Sequence, residues 1–479
     1  MRRPRPDFLV ACLLLAAACA KPPPLGRVEL GIEVPDSWQA EGRAPRPRSD
    51  LIDEAWWRDF HDEALTRLVE ESLANNHDLR AAAARIRRAI ADARIAGADL
   101  SPEAQVSVSG SRRRQNFIGF PVPGGERTVL RTQSTSLGAS LDVVWEADLW
   151  GRLRAGTRAA MADAQATDAD FHAARLSLAG QTAKAWFAAI EAGQQVALAE
   201  STVANWRASS EQVRERYERG LRPSLDLRLS RSNLESAKAL LHQRRQELDA
   251  DVRQLQTLLG RYPAGGLPLG RTLPDTPPPV PAGLPADLLA RRPDLVSAER
   301  RLIAADQRLA AARRALYPRF SLTGSGGTSS NQLRDLVDSD FRVWSILGGI
   351  VQPLFQGGRL RRGIDRSRAL VDEALEVFAG TALAAYREVE SALAAERFLA
   401  QREHHLDLAT RQARSARELA QDRYRRGLHD YITVLEAQRR ALAEESSWLA
   451  ARRSRLQNRV DLYLALGGGF SMTREATAR

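Results

Sequence analysis

The sequence has few of the residues that build cross-links or metal sites. It contains two cysteines, Cys12 and Cys19, and seven scattered histidines. Cys12 lies in a segment that we expect to be removed, so the mature chain keeps one cysteine and no internal disulfide is expected. The adjacent His404 and His405 point to two sides of a helix, which argues against a metal site. Stability must therefore come from packing.

Lysine is nearly absent, since three of the 70 basic residues are Lys. The arginines alternate with Glu and Asp along helical stretches, and no basic cluster with interleaved aromatics is present, so a nucleic-acid partner is not expected. The sequence contains no glycine-rich phosphate loop and no nucleophile elbow. We therefore expect neither an enzyme nor a cofactor.

The N-terminus has the pattern of an export signal. Arg2, Arg3 and Arg5 precede an apolar run that ends at Ala18 and is too short to span a bilayer. Cys19 follows the small residues at the expected cleavage position, which resembles a lipobox. We predict a signal peptide over 1–18 and a lipid-anchored extended segment over 19–50, with acyl chains on Cys19. The alternative is ordinary cleavage after Ala18, which leaves an unmodified thiol.

The remaining chain repeats itself. The phrase "RYERGL" ends at Leu221 and "RYRRGL" at Leu428, 207 positions later. "LSPEAQVSVSG" is echoed by "LYPRFSLTGSG" at an offset of 216, and "WGRLR" by "GGRLR" at 207. The order is preserved, which indicates an internal duplication. We predict repeats over 51–262 and 286–468, a proline-rich, non-helical connector over 263–285 and a tail over 469–479.

Each repeat is predicted to contain a helix, two strands separated by a loop, a long helix, a turn and a returning helix. Apolar residues recur every seven positions along the long helices, which predicts left-handed coiling. A helix over 152–219 would be roughly 100 Å long. Its seam is rich in alanine and buries little area per residue, so we expect more than one chain in the assembly. The seam of the second copy comprises Ile364, Val371, Phe378, Ala385, Ala392, Leu399, Leu406, Ala413 and Ala420.

The hexapeptides mark the turn after each long helix. Gly220 and Gly427 stand where a left-handed residue ends the last helical turn. Pro223 prevents continuation of the first helix, and Ser224 and Asp430 are candidate N-caps of the returning helices. The repeated phrase therefore predicts a tight helix-to-helix turn.

Alternating apolar residues predict four strands, near residues 104–114, 130–147, 319–328 and 341–353. Four strands cannot close a membrane barrel, for which about eight is the usual minimum. Several chains would have to share one barrel.

Taken together, the chain resembles the outer-membrane factor (TolC-like) family and its NodT/OprM-type efflux lipoproteins. The resemblance rests on "WWRDFHDEALTRLVEESLANNHDL", "RRPDLVSAERRL", "ALYPRFSLTGSGG", "PLFQGGRLR" and "RYRRGLHDYITVLEAQRRAL". It implies a mainly α fold with a β-barrel portion: long coiled-coil hairpins, four transmembrane strands per chain and a trimeric tunnel. It also implies an outer-membrane location and a passive duct for small toxic compounds that is energised by an inner-membrane RND-type pump.

Membership of this family implies that a periplasmic adaptor binds the hairpin tips, around Tyr217, Gly220, Leu221, Tyr424, Gly427 and Leu428. Relatives close the tunnel with inward-facing carboxylates just past the second tip. The matching positions are Thr433 and Glu436, and Asp226 is a further candidate. Thr433 departs from the pattern because a hydroxyl replaces the expected carboxylate. Alternatively, Glu436 is an exposed residue paired with Arg439 and Arg440.

Two other functions fit parts of the pattern. The family also includes exit ducts for secreted polypeptides, but the lipobox and the "RRPDL" phrase favour efflux. A periplasmic coiled-coil or adaptor protein without a pore would lack paired amphipathic strands between its helices.

Overall fold

The structure is a computed structural model that describes residues 34–35, 37–40, 53–118, 130–280, 285 and 288–470. Cys19 and the predicted signal peptide lie outside these residues. Across the described ranges, no helix combines the length and the apolar character needed to cross a lipid bilayer.

Both predicted repeats contain the same series of long elements. The first copy consists of α1 (Glu63–Asn75), α2 (His77–Ala98), β1 (Glu103–Phe117), β2 (Leu130–Ala147), α3 (Arg152–Glu218) and α4 (Ser224–Leu258). The second consists of α5 (Leu288–Arg291), α6 (Pro293–Arg314), β3 (Arg319–Ser330), β4 (Arg342–Val351), α7 (Arg359–Arg425) and α8 (Tyr431–Ala465). Helices α2 and α6 have 22 residues each, α3 and α7 have 67, and α4 and α8 have 35. The predicted series of elements is confirmed.

The chain forms two compact units, and each unit takes segments from both copies. One unit includes Arg87–Gln165 and Glu299–Val377, and it contains all four strands. The other includes Gly31–Ile86, Ala166–Ala298 and Phe378–Arg479, and it contains both helix-to-helix turns.

The four strands form one antiparallel sheet in the order β1-β2-β3-β4. All four predicted strands are therefore confirmed, with ends that differ by a few residues. Paired residues share a face of the sheet, and the register places most of the large apolar side chains on one face. That face carries Val106, Val108, Leu141, Leu322, Trp344, Ile346 and Ile350, together with Arg112, Arg114 and Arg342. The other face carries Ser107, Ser140, Asp142, Ser325 and Ser345, together with Val144, Val343 and Leu347.

The heptad seam of α7 is covered along its length. Five of its nine residues are buried, four are half-buried, and none is exposed. The buried residues are Phe378, Ala385, Ala392, Ala413 and Ala420. The seven-residue spacing thus identified the inner face of this helix from the sequence.

The repeat extends to single hydrogen bonds, although the side chains that make them differ. Asn76 Nδ2 donates to the carbonyl oxygen of Leu258 at 3.1 Å, near the end of α4. Arg292, 216 positions after Asn76, donates from Nη1 to the carbonyl oxygen of Ala465 at 3.3 Å, at the end of α8. In each copy, therefore, the residue directly before the 22-residue helix donates from its side chain to a carbonyl oxygen at the C-terminal end of the returning helix.

A second repeated hydrogen bond links the segment before the first strand of each pair to the end of the second strand. Trp145 Nε1 donates to the carbonyl oxygen of Leu100 at 3.0 Å. In the second copy, Gln352 Nε2 donates to the carbonyl oxygen of Leu316 at 2.9 Å. An indole and an amide thus make equivalent bonds, because each offers an N–H donor at the right reach.

Aromatic residues form the core beside the start of the first copy. Trp56 is fully buried and stacks on Tyr463 with ring centroids 5.1 Å apart. The Tyr463 hydroxyl donates to Asp59 Oδ2 at 2.6 Å. Trp186 Nε1 donates to Asp62 Oδ2 at 2.8 Å, and Asp62 also caps α1. Both tryptophans of the "WWRDF" phrase are buried and act as packing residues.

The proline-rich connector contains no helix between residues 261 and 280. It is nevertheless held against its unit, because Leu273 and Val280 are buried. Arg459 donates to the carbonyl oxygen of Pro278, and Gln194 Nε2 donates to that of Arg271 at 3.2 Å. The sequence predicted its extended form but not this packing.

Candidate functional site at the two hairpin turns

The first hairpin turn joins α3 to α4 through a Schellman motif. Gly220 has φ +73°, and its N–H donates to the carbonyl oxygen of Tyr217 at 2.8 Å. The Leu221 N–H donates to the carbonyl oxygen of Arg216 at 2.8 Å. These two bonds satisfy the last carbonyls of α3, and a left-handed φ favours glycine at that position.

The second turn joins α7 to α8 with the same geometry. Gly427 has φ +77°, and its N–H donates to the carbonyl oxygen of Tyr424 at 3.0 Å. The Leu428 N–H donates to the carbonyl oxygen of Arg423 at 2.9 Å. The predicted role of the repeated glycines is confirmed in both copies.

One of the two predicted N-caps, Ser224, differs from the observed one. Pro223, not Ser224, is the N-cap of α4, and no side chain makes a capping hydrogen bond there. Ser224 is already the first helical residue, and Pro223 has the extended backbone of an N-cap residue, with φ −75° and ψ 160°. Asp430 is the N-cap of α8 as predicted, but it makes no capping bond, and its Oδ1 lies 3.6 Å from Nη1 of Arg222.

The two turns expose matching leucines but differ in the exposure of their tyrosines. Tyr217 is 41% exposed, and Leu221 and Leu428 are 67% and 68% exposed. Tyr424, the counterpart of Tyr217, is only 2% exposed, and its ring lies 5.6 Å from that of Tyr431. Within one chain, Tyr424 is thus a core residue, whereas Tyr217, Leu221 and Leu428 form an apolar surface around the two glycines.

An arginine from the first turn holds the second turn. Arg216 donates from Nη1 to the carbonyl oxygen of Tyr424 at 3.1 Å and from Nη2 to that of Arg425 at 2.8 Å. Its guanidinium carbon lies 4.6 Å from the centre of the Tyr424 ring. A cation at a helix C-terminus and over an aromatic face is stabilised by both. We call these contacts the Arg216 clasp.

We expect Arg216→Ala to loosen the second turn. The substitution removes two charge-assisted hydrogen bonds and one cation–π contact, which together stabilise the turn by roughly 2–3 kcal/mol. Hydrogen exchange should therefore become faster at the amides of Gly427 and Leu428. Arg219→Ala is the matched control, because Arg219 is an exposed arginine of the first turn. Equal exchange in the two variants would contradict the clasp.

The three candidate gate residues lie near the starts of the returning helices, Asp226 and Thr433 in the first turn and Glu436 in the second. Asp226 is buried in the first turn of α4, whereas Thr433 and Glu436 are exposed on α8. Neither arginine near Glu436 forms the expected ion pair with it. Arg439 donates to Asn233 Oδ1 at 2.9 Å, and Arg440 Nε lies 4.0 Å from Glu444 Oε1. Glu436 is thus a carboxylate without an ion pair among the described residues of one chain.

Next to the second turn, several buried polar side chains pack against the hydrophobic core. Burial raises the pKa of Tyr431 to about 12, and the charge of nearby Asp226 acts in the same direction. Ser209 Oγ donates to the Tyr431 hydroxyl at 3.4 Å. Gln438 is 6% exposed and lines a small cavity with Tyr424. The sequence analysis did not single out Gln438, although its position, seven residues after Tyr431, is a core position of α8.

The family comparison covers most of the chain. The family model described as "Outer membrane efflux protein" matches residues 68–261 and 284–468. The pyoverdine export outer membrane protein OpmQ of Pseudomonas putida is 34% identical over 476 residues, which cover 98% of each chain. The outer membrane protein OprJ of Pseudomonas aeruginosa is 33% identical over 483 residues and also covers 98% of each chain.

The fold matches a solved structure just as completely. The CmeC outer membrane channel of Campylobacter jejuni superimposes with a TM-score of 0.86 at 25% identity. The match covers 95% of this chain and 96% of that chain.

Proposed function

Since this chain belongs to the outer membrane efflux protein family and is an outer-membrane channel component of an efflux system, we propose that three copies form one passive duct. Its cargo would be small toxic compounds or drugs. A periplasmic adaptor binds the apolar surface of Tyr217, Leu221 and Leu428, and an inner-membrane RND-type pump supplies the energy. Acyl chains on Cys19 add a lipid anchor, which the mass of the mature N-terminal peptide would reveal.

The two-faced sheet is the observation that supports a shared barrel. Within the described residues, β1 pairs only with β2 and β4 pairs only with β3, so each has one edge without a partner. Open edges are not tolerated in lipid, because each unpaired backbone group there costs several kcal/mol. The strands have 10 to 18 residues, enough to cross a bilayer, which takes about 9–11. An independent pore-free adaptor would need no such sheet.

The faces of the sheet fit lipid on one side and water on the other. On the apolar face, Trp344 is 79% and Ile346 is 71% exposed in one chain. On the polar face, the Oγ atoms of Ser107 and Ser140 lie 2.8 Å apart, within hydrogen-bond distance, and Ser325 Oγ donates to Asp142 Oδ1 at 2.6 Å. Membrane barrels direct apolar residues outward and polar residues into the lumen.

Adjacent residues of β4 allow a test with an internal control. Ile346→Arg would place a charge on the lipid face, which costs about 2–4 kcal/mol near the bilayer midplane. We expect this variant to lose the band at three times the chain mass when outer-membrane extract is run unheated on a denaturing gel. Ser345→Arg places the same side chain on the polar face and should keep that band. A wild-type monomer in the soluble fraction would refute the shared barrel.

The cargo is tested in the host cell. Deletion of the gene should increase sensitivity to toxic small molecules, and the Ser345→Arg variant should restore resistance. If deletion instead abolishes the export of a polypeptide and leaves sensitivity unchanged, the duct serves protein secretion.

A further inference from the structure

The Arg216 clasp has a counterpart in the sequence that is not formed within one chain. At the repeat offset of 207, Arg216 corresponds to Arg423, and Tyr424 corresponds to Tyr217. The pair Arg423 and Tyr217 thus has the same two residue types with the donor and the acceptor exchanged between the turns. If the first and second turns of several chains alternated around a ring, Arg423 of one chain would lie beside Tyr217 of the next.

Neither member of the second pair is buried. Tyr217 is 41% exposed, whereas Tyr424 in the formed clasp is 2% exposed. Arg423 is exposed, and its Nη1 lies 3.2 Å from Nε2 of His429 in its own turn. Among the described residues, Arg423 makes no contact with Tyr217 of the same chain that matches the Arg216 clasp. One chain therefore exposes both residue types of a clasp, an arginine and a tyrosine, without bringing them together.

The acceptor end is ready for such a contact. In the formed clasp, the Tyr424 carbonyl oxygen accepts from both Gly427 N–H and Arg216. The Tyr217 carbonyl oxygen accepts from Gly220 N–H at 2.8 Å, which leaves its second lone pair for an arginine. It stands at the C-terminus of a 67-residue helix, where a cation is stabilised.

The charges favour the second pair more than the first. The formed clasp brings Arg216 to the backbone of Arg425, so two cationic residues are neighbours. The counterpart of Arg425 is Glu218. A second clasp would therefore bring Arg423 to an anionic residue.

We propose that the partner of this surface is a second copy of this chain: Arg423 of one copy clasps Tyr217 of the next and donates to the carbonyl oxygens of Tyr217 and Glu218. This inference rests on the proposed trimer. The contact is heterologous, because different surfaces meet, and three such contacts close a ring in which first and second turns alternate. Every turn in that ring is held by an arginine from its neighbour. Tyr217 then lies in the contact between copies, and Leu221 and Leu428 are the part of the apolar surface left for the adaptor.

Cross-linking distinguishes contacts within one chain from contacts between chains. The purified full chain carrying Tyr217→Cys and Arg423→Cys is treated in detergent with a short bis-maleimide and then boiled on a denaturing gel. We expect most of the protein to move to dimer and trimer bands. The matched control carries Arg216→Cys and Tyr424→Cys, the equivalent pair of the formed clasp. Its cross-link lies within one chain, so the boiled protein should stay at the monomer mass. Each variant that carries one introduced cysteine besides Cys19 should also remain a monomer.

The outcomes separate this inference from the proposed function. An unheated trimer whose Tyr217 and Arg423 cysteines give only boiled monomer would overturn the clasp but leave the shared duct intact. Loss of the unheated trimer in the wild-type chain would overturn both. As a second measurement, Arg423→Ala should lower the temperature at which the unheated trimer band disappears, and more so at low salt. Arg426→Ala, at an exposed arginine of the same turn whose only ion pair among the described residues is the solvated one with Asp422, should leave that temperature unchanged. Equal temperatures for wild type and Arg423→Ala would count against the clasp.

Discussion

Replacement of Gly467 by alanine is expected to destabilise the chain by about 3–5 kcal/mol. Gly467 follows α8 with φ +91°, a conformation that costs an L-residue roughly 1–2 kcal/mol. A methyl group there would also overlap the carbonyl oxygen of Arg291. That oxygen belongs to the backbone of the last residue of α5, which cannot rotate away as a side chain could. Relief of the overlap must therefore separate the end of α8 from the start of α6.

Gly427→Ala is the matched control for this prediction. Gly427 also has a left-handed φ, of +77°, but nothing lies within 4 Å of the position that a methyl group would occupy there. It should therefore lose only the conformational part, about 1–2 kcal/mol. Gly260→Ala should resemble Gly467→Ala, because its methyl group would lie 2.7 Å from the carbonyl oxygen of Asn75. Thermal unfolding of the purified variants in detergent compares the three. If Gly467→Ala and Gly427→Ala lowered the free energy of unfolding by similar amounts, the close approach of Gly467 to the Arg291 carbonyl would not contribute to the loss.

Replacement of Glu396 by alanine is expected to cost about 3–5 kcal/mol, because it leaves a buried guanidinium without its carboxylate. Arg459 has a side chain that is 2% exposed, and its Nη2 donates to Glu396 Oε1 at 2.9 Å. The same arginine holds the proline-rich connector through the carbonyl oxygen of Pro278. Loss of Glu396 should therefore also release the connector from Arg459. A protease that cleaves after arginine should then cut the connector after Arg271.

Two variants separate the buried charge from ordinary ion pairing. Glu403→Ala removes a carboxylate one heptad further along α7, where its partners Arg452 and Arg455 are 19% and 27% exposed. This loss should be about 1 kcal/mol, since partly solvated pairs contribute little. Arg459→Met should cost less than Glu396→Ala, because it removes the buried charge itself. If Glu396→Ala and Glu403→Ala unfold at the same temperature, burial of Arg459 is not the cause.

Sequence patterns located the elements that depend on local rules. The spacing of seven found the α7 seam, period-two alternation found four strands, and the repeated hexapeptide found both Schellman turns. Each of these signals arises within a few residues of chain, through helix or strand geometry or a positive φ. The offsets of 207 and 216 even predict which hydrogen bonds recur, although Asn76 and Arg292 share no chemistry beyond an N–H donor.

Other features escaped the sequence because they depend on what a distant segment brings near. Tyr217 and Tyr424 occupy the same place in nearly identical phrases, yet only Tyr424 is buried, since Arg216 and Tyr431 pack around it. Ser224 lost the capping position to Pro223. Glu436 has no ion pair among the described residues, because Arg439 binds Asn233 instead.

The amino-acid sequence by itself determined the duplication, the lengths of the helices, the number of strands and the resemblance to an efflux family, because periodicity and turn chemistry are properties of neighbouring residues. Only the tertiary structure decided which face of the sheet carries most of the large apolar side chains, which of two equivalent tyrosines is core, and which arginine holds a turn. Those outcomes depend on strand register and on the burial of one copy against the other, where contacts between residues some 200 positions apart outweigh matching local sequence.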